Sequence, residues 1–299
     1  MSNILARGTL LPPVVTEELF SKVKGKSSLA KLSASEPIPF NGETIFTFSL
    51  DNEVDLVAEN GAKSNGGATI APFTMQPVKV EYGFRVSDEF RYGTETVRLQ
   101  YLTAFADGFA KKVARGLDIM AIHGVNPRTK QTASALSGKN FDDIVENIVV
   151  FDASAPQDNI TAAIELLGDE IDVTGLAMAP AMKSALAALK TQKDSNIQLF
   201  SELGWGSTLT SLNGLAADSN TTISFNNSLD RALVGNFADY FKWGFAREIP
   251  IEVIEYGDPD NSGYDLKGHN QVYIRGEAYI GWGILDKDAF ALVKAGASA

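Results

Sequence analysis

The chain has 299 residues, of which 44% are hydrophobic, enough to bury one elaborated domain or two. Its 26 basic and 37 acidic residues give a net charge of −11, a field that repels nucleic-acid phosphates and disfavours DNA binding by the average surface. The absence of cysteine excludes disulfides, thiolate nucleophiles and cysteine-based metal sites. No segment approaches the ~20 apolar residues of a membrane span, so the sequence predicts a soluble protein made in a cytoplasm, with no membrane partner.

Residues 1–39 carry short apolar clusters interrupted by prolines, which predicts an extended arm rather than a compact domain. Phe46, Phe48 and Leu50 then alternate with polar residues at the two-residue period of a strand. We expect the partner strand within Phe73 to Phe84, beyond a glycine-containing stretch, so that residues 45–84 form a long hairpin with a flexible tip. A hairpin has too little core to stand alone, and a neighbouring subunit is one candidate for covering it.

The strongest single element runs from Thr94 to His123, because its apolar residues recur every four and finally every three positions. Thr94 can cap the start of this helix, and Gly124 followed by Pro127 ends it. The helix would span roughly 45 Å. Steps of four residues are longer than one turn of an α-helix, so the apolar stripe winds around the helix. We therefore expect the helix to pack against several elements.

A second unit begins near Phe141 and has a mixed α and β pattern. Residues 200–223 are rich in Gly, Ser, Thr and Asn and are predicted to form turns and exposed connections. The periodicities predict helices at Asn159–Ile171 and Met182–Lys190, and strands at Gly175–Ala179, Arg231–Val234, Ile249–Tyr256 and Gln271–Leu285.

No residue pattern in the sequence is typical of a catalytic site. The two histidines, His123 and His269, are far apart in sequence and are predicted to be structural or solvent-exposed. Residues 258–263 resemble the start of a calcium loop, but His269 stands where the bidentate glutamate should be, so a plain acidic turn is the better interpretation. The sequence therefore predicts no catalytic residue, no cofactor and no metal site.

Three stretches, in this order, resemble the major capsid proteins of tailed bacteriophages that share the Hong Kong 97-type fold. Val54 to Lys63 followed by Phe73 to Val80 is similar to the family's extended hairpin, the E-loop. Arg85 to Phe90 leading into the long helix is similar to the start of the family's spine helix. The carboxyl-terminal signature is similar over Leu233–Phe237, Ile249–Tyr256, Asn270–Arg275 and Ala289–Phe290.

The resemblance implies an α+β fold with an N-arm, an E-loop, a peripheral P domain and a mixed α/β axial A domain. The implied divisions are residues 1–39 for the N-arm, 40–83 for the E-loop, 84–139 for the P domain with its spine helix at 94–123, 140–240 for the A domain, and 241–299 for a return through the P domain to the end of the A domain.

The implied function is structural: a major capsid protein, not an enzyme, that self-assembles as hexamers and pentamers into the icosahedral shell around the double-stranded DNA of a tailed phage. The shell would enclose DNA without sequence-specific binding, form in the host bacterial cytoplasm and become part of the virion. Scaffolding, portal and decoration proteins are the implied partners.

The resemblance also implies an intersubunit surface on the E-loop, for which the candidate residues are Phe46, Phe48, Leu50, Glu59, Lys63 and Phe73. Some members of the family crosslink an E-loop lysine to a neighbour. Lys63 is the sole candidate lysine here because no other lies between Lys31 and Lys79, and an ordinary exposed loop lysine is the alternative.

The sequence leaves three other interpretations of the protein's function open. An encapsulin-like nanocompartment shell protein has a similar fold and chain length, although such chains usually start with a cargo-binding helix instead of a proline-broken arm. An enzyme of mixed α and β fold would need a pocket with convergent polar groups. A phage tail or adhesin subunit would show more β structure and no long helix.

Overall fold

The computed structural model describes residues 26–50, 52, 54–192, 196–204, 208–246 and 251–296. Its helices are α1 (Ser28–Leu32), α2 (Glu95–His123), α3 (Phe141–Ile144), α4 (Pro156–Glu165), α5 (Pro180–Ala187) and α6 (Phe237–Tyr240). Its strands are β1 (Glu43–Leu50), β2 (Ala68–Met75), β3 (Val78–Ser87), β4 (Ile148–Phe151), β5 (Gly175–Met178), β6 (Ser211–Leu212), β7 (Leu215–Ser219), β8 (Asp230–Gly235), β9 (Phe241–Phe245), β10 (Ile251–Ile254), β11 (Gln271–Ile284) and β12 (Phe290–Ala295).

The long helix α2 has the predicted bounds. The Thr94 side chain accepts a hydrogen bond from the Val97 backbone N–H, and Gly124 takes the left-handed conformation that ends the helix. The apolar stripe winds as expected: Tyr101 is exposed, whereas Leu117 is fully buried. The helix packs against α1, α3 and β11, which confirms that several elements cover it.

The long strand β11 organises a four-stranded sheet. It pairs antiparallel with β3 and β10 along its first part and with β9 along its last part. The predicted strand Gln271–Leu285 is confirmed, and the side chains of Val272, Ile274, Ala278, Ile280, Trp282 and Ile284 along it are buried. Gly276 lets the sheet approach α2 closely, since a Cβ there would lie 3.1 Å from the ring of Phe109.

The predicted hairpin partner was wrong in its extent. β1 pairs with β2, which ends at Met75, and Val78–Ser87 leaves the hairpin to pair with β11. Gln76 and Pro77 lie between the two strands. The apolar run from Phe73 to Phe84 therefore belongs to two sheets.

The third sheet has six strands in the order β4-β12-β8-β5-β7-β6 and mixes parallel and antiparallel pairs. The sequence analysis predicted β5 and β8 but missed β4, β9 and β12, and it read β7 as part of a turn region. These are short strands, and β7 shows no alternation: Ala217 and Asp218 are both buried within it. Of the predicted strand Ile249–Tyr256, β10 covers 251–254, while 249 and 250 lie outside the described residues.

Both predicted helices of this unit start earlier and end earlier than expected. α4 begins at Pro156 and α5 at Pro180, where the missing proline N–H costs no hydrogen bond. Gly168, at φ 70°, follows the end of α4. Two apolar cores result. In one, α2 packs with the four-stranded sheet and with one face of the six-stranded sheet, and in the other, α4 and α5 cover the opposite face of the six-stranded sheet.

Residues 1–25 lie outside the described residues, and the rest of the predicted arm is not uniformly extended. Ser28–Leu32 forms the short helix α1, with Leu29 and Ala30 fully buried. Only after it does the chain run extended, where the N–H of Glu36 donates to the carbonyl of Trp243 at 2.9 Å.

Candidate functional site

The hairpin of β1 and β2 carries an uncovered apolar face. Phe46 lies opposite Pro72 in the ladder, and Ile70 stands two positions before Pro72 on the same strand, so these three residues share one side of the hairpin. The Phe46 side chain is 68% exposed and that of Ile70 is 62% exposed. A two-stranded sheet is marginal by itself in water, and this face has no cover within the described part of the chain.

The base of the hairpin is fixed to the body of the subunit. Met75 is only 2% exposed, and a Cβ on Gly283 of β11 would lie 2.5 Å from the Phe73 ring and 2.8 Å from Met75. Close packing at Gly283 therefore anchors one face of the hairpin while the opposite face stays open.

The loop between the two strands is exposed at every residue from 54 to 66. Val54 and Leu56 are 96% and 97% exposed, which is unusual for branched apolar side chains. A tight turn follows, in which the Gly61 N–H donates to the Ala58 carbonyl at 2.8 Å and Asn60 has a φ of 65°.

The candidate intersubunit residues that were named from the sequence lie in different environments. Phe46 lies on the open face, and Glu59 and Lys63 lie in the exposed loop. Phe73 is half-buried against its own subunit at the hairpin base. The side chains of Phe48 and Leu50 lie outside the described residues. The sequence analysis did not single out Ile70 or Pro72, since the strand register that groups them was not available from a single strand's pattern. It included Val54 and Leu56 only as part of the E-loop-like stretch Val54 to Lys63.

A buried cluster of charges joins the end of α2 to the six-stranded sheet. His123 Nδ1 lies 2.7 Å from Asp142 and 3.4 Å from Asp230, and its Nε2 lies 2.9 Å from the Thr222 carbonyl oxygen. Lys294 Nζ lies 2.6 Å from Asp142 and 3.3 Å from Asp230. His123 and the two aspartates are close enough to hold a cation, but the lysine ammonium already lies against both carboxylates.

The pKa shifts in this cluster agree with an ion-pair network. Burial alone would lower the pKa of His123, but the hydrogen bonds and charges of Asp142 and Asp230 outweigh it and raise the pKa to about 9. Burial would raise the pKa of Asp230, and His123 and Lys294 together lower it. An imidazolium donates from both nitrogens, which fits the contacts of His123 with Asp142 and with the Thr222 carbonyl oxygen.

The acidic loop at residues 258–263 is held by an arginine. Arg85 of β3 lies 2.6 Å from Asp258 and 2.5 Å from Asp260, while Asp258 also accepts hydrogen bonds from the backbone of Ser262 and Gly263. The hydrogen bond from Arg85, the largest cause, holds the pKa of Asp260 well below its usual range. These contacts form an acidic turn that is closed by its own backbone N–H groups and by the Arg85 guanidinium.

Comparison with known proteins gives consistent matches. Residues 7–295 match the phage capsid family. A solved chain from Mycobacterium phage Ogopogo is 32% identical, with a TM-score of 0.76 over 91% of this chain and 92% of that one. A chain from Gordonia phage Cozz is 21% identical, with a TM-score of 0.73 over 91% and 87%. A chain described as the capsid of an empty GTA particle shares the fold at 15% identity and a TM-score of 0.64, over 99% and 95%. A comparison with curated proteins finds no match.

The α+β fold, with its long helix, mixed sheets and projecting hairpin, defines a structural shell protein of the Hong Kong 97 type. The chain belongs to the phage capsid family and is a major capsid protein, one that self-assembles into a shell and has its place in the virion capsid. These matches favour the capsid interpretation over the nanocompartment, enzyme and tail alternatives. None of the helices in the described ranges has the length and apolar character needed to cross a membrane.

Proposed function

We propose that the hairpin and its loop, residues 43–75, form the principal reaching contact between neighbouring subunits of the shell. The open face of Phe46, Ile70 and Pro72 carries this proposal, because it exposes large apolar side chains on an element that has no core of its own. Burying such side chains against a neighbour would supply about 2 kcal/mol for each large side chain covered.

Hexamers and pentamers built through such contacts would close into an icosahedral shell. The hairpin of one subunit would cover a different surface on the next, a heterologous contact that closes into rings. Each contact contributes only a modest binding free energy. The shell is stable because each subunit makes several such contacts and can leave only by breaking them all at once.

The shell would enclose the double-stranded DNA of a tailed phage without sequence-specific contacts. The net charge of −11 supports this, since a wall that does not attract phosphates leaves the packed genome free. Assembly in the host bacterial cytoplasm with scaffolding, portal and decoration proteins completes the proposal. Residues 40–83 would act as the E-loop, 84–139 as the P domain and 140–240 as the A domain, with 1–39 as the N-arm and 241–299 returning through the P domain.

Replacing Phe46 and Ile70 together with aspartate tests the hairpin contact. Shells should no longer form, because four charged carboxylate oxygens per hairpin would have to be buried against a neighbour. Electron microscopy and sedimentation of the chain, with its scaffold supplied if one is required, measure the outcome. Thr44 and Thr74 lie on the same face near the hairpin base, and replacing both with serine is the matched control that should assemble normally. Normal shells from the aspartate variant would refute the proposed contact.

A further inference from the structure

Four asparagines of this chain are followed directly by glycine: Asn41, Asn60, Asn65 and Asn213. An asparagine before glycine can lose its side-chain amide, because the glycine backbone nitrogen attacks the side-chain carbonyl carbon and closes a five-membered succinimide ring. Glycine favours this attack, since no Cβ hinders the approach of its backbone. The dipeptide is the same in all four pairs, but the fold places the pairs in different surroundings.

Two of these glycines donate their backbone N–H within a turn. The Gly42 N–H donates to the Pro39 carbonyl oxygen at 2.9 Å. The Gly61 N–H donates to the Ala58 carbonyl oxygen at 2.8 Å. In each turn the nitrogen must give up this hydrogen bond before it can reach the asparagine side chain, so the fold protects the asparagine of both pairs.

A third pair forms the tight turn between β6 and β7. Asn213 has a φ of 48° and Gly214 a φ of 91°, which is typical of a type I′ hairpin turn. The ladder pair of Leu212 and Leu215 closes this turn on both sides. Ring closure would require the Asn213 backbone to rotate out of the turn and would disrupt the end of the ladder.

The fourth pair, Asn65 and Gly66, has no such restraint. Both residues are exposed in the hairpin loop, and no hydrogen bond of either is found within the described part of the chain. A Cβ on Gly66 would meet no atom within 4 Å. The Gly66 nitrogen can therefore turn toward the Asn65 side chain without breaking a hydrogen bond or displacing a neighbour.

We infer that Asn65 is a site of spontaneous deamidation and that it reacts before the other three asparagines. The Gly66 nitrogen loses its proton and bonds to Asn65 Cγ, the bond from Cγ to Nδ2 breaks, and Nδ2 takes up a proton and leaves as ammonia. Water then breaks one carbon–nitrogen bond of the succinimide, which leaves aspartate or isoaspartate. Water is the only other reactant.

The reaction changes the charge of the hairpin loop. Residues 54–66 contain two acidic residues, Asp55 and Glu59, and one basic residue, Lys63. The new carboxylate therefore doubles the net negative charge of the loop as the protein ages. This inference goes beyond the proposed function and does not rest on it, because the reaction needs only the exposed loop of the unassembled chain.

Peptide mapping by mass spectrometry measures the reaction after incubation of the purified, unassembled chain at mildly alkaline pH. The peptide that contains Asn65 should gain about 1 Da, the difference between an amide and a carboxyl group. Its rate should exceed that of each other pair by about tenfold, because opening a turn that is held by a backbone hydrogen bond costs about one order of magnitude in rate. Equal rates, or a faster reaction at another pair, overturn the inference.

The same measurement in concentrated urea separates the effect of the fold from that of the sequence. Urea removes the three turns, so the four asparagines should then react at rates within about threefold of one another. If Asn65 keeps its full lead in the unfolded chain, the fold does not set the order and the inference is overturned.

Two variants test the attacking nitrogen. Gly66→Val should slow the reaction at Asn65 by about tenfold, because a β-branched side chain beside the nitrogen hinders its attack, and should leave the rate at Asn60 unchanged. Ser64→Ala changes the residue on the other side of Asn65 and is the matched control, with a rate within about twofold of the parent. An unchanged rate at Asn65 in Gly66→Val would overturn the mechanism.

Discussion

At the scale of single residues, His123 shows how a side chain without a motif acquires a defined role. Its sequence position, at the end of a long helix, indicated only a structural or exposed residue. The fold brings Asp142 from α3, Asp230 from β8 and Lys294 from β12 around it, with the Thr222 carbonyl on its other nitrogen. The two carboxylates balance the imidazolium and the ammonium, so the cluster is neutral when His123 is protonated.

This balance predicts a pH dependence of stability. The pKa of His123 is raised from 6.5 to about 9 on folding, so its contribution is complete below pH 6.5 and is lost as the pH rises through about 9. The loss should amount to about 3 kcal/mol of unfolding free energy. Urea unfolding of the unassembled chain at pH 6, 8 and 10 measures it.

His123→Gln provides the comparison for that measurement. Glutamine keeps a hydrogen-bonding group but does not titrate, so the variant should be less stable than the parent at pH 6 and should approach it at pH 10. Equal pH slopes in the two proteins would show that His123 is not the titrating group.

At the scale of the element, the end of α2 depends on one glycine and the side chain that it faces. Gly124 has a φ of 62°, and a Cβ there would lie 2.4 Å from the Asn140 side-chain nitrogen. Asn140 is buried and caps α3, since its side-chain oxygen accepts from the Asp143 N–H at 3.0 Å. The end of one helix and the start of the next are therefore packed together.

Gly124→Ala should lower the unfolding free energy by about 3 kcal/mol, because it adds left-handed strain and displaces the Asn140 cap. Gly138→Ala is a matched control with a φ of 68° and no atom within 4 Å of its Cβ, so it should cost only about 1 kcal/mol. Denaturant titration of both variants measures the difference. Equal losses of unfolding free energy in the two variants would mean that the Asn140 side chain moves aside without loss of stability.

At the scale of the whole molecule, the short helix α1 ties the two cores together. Asp118 of α2 is fully buried and accepts hydrogen bonds from the backbone N–H groups of Ser28 and Leu29, at 3.0 and 3.2 Å, and from the Ser27 and Thr222 hydroxyls. Burial raises the pKa of Asp118, and these donors oppose that shift. On the other side of α1, Lys31 lies 2.5 Å from Asp218 of β7, within the six-stranded sheet.

Asp118→Ala should release α1 and lower the unfolding free energy by about 3 kcal/mol, because several buried donors lose their acceptor. Limited proteolysis should then cut near residues 26–33, which the parent protects, and calorimetry should record the lower stability. Asp158→Ala, an exposed carboxylate in the first turn of α4, should change stability by less than about 0.5 kcal/mol. Unchanged protease resistance in Asp118→Ala would show that other contacts hold α1.

The sequence by itself determined the elements with strong local signals. The four-residue spacing and end signals of α2, the alternation of β1 and β11, and the order of the capsid-like stretches led to the long helix, the long strand and the family. These are properties of residues near one another in the chain, so a single sequence displays them.

Only the tertiary structure decided which elements pair and which faces stay open. The short strands β4, β9 and β12 owe their conformation to partners far away in sequence, and the run from Phe73 to Phe84 divides at Pro77 because its second part pairs with β11. The open hairpin face depends on the register that sets Phe46 beside Pro72. Pairing between strands that are far apart in sequence depends on tertiary packing and on the entropy of loop closure. The pattern of residues within one segment of the chain does not reveal either.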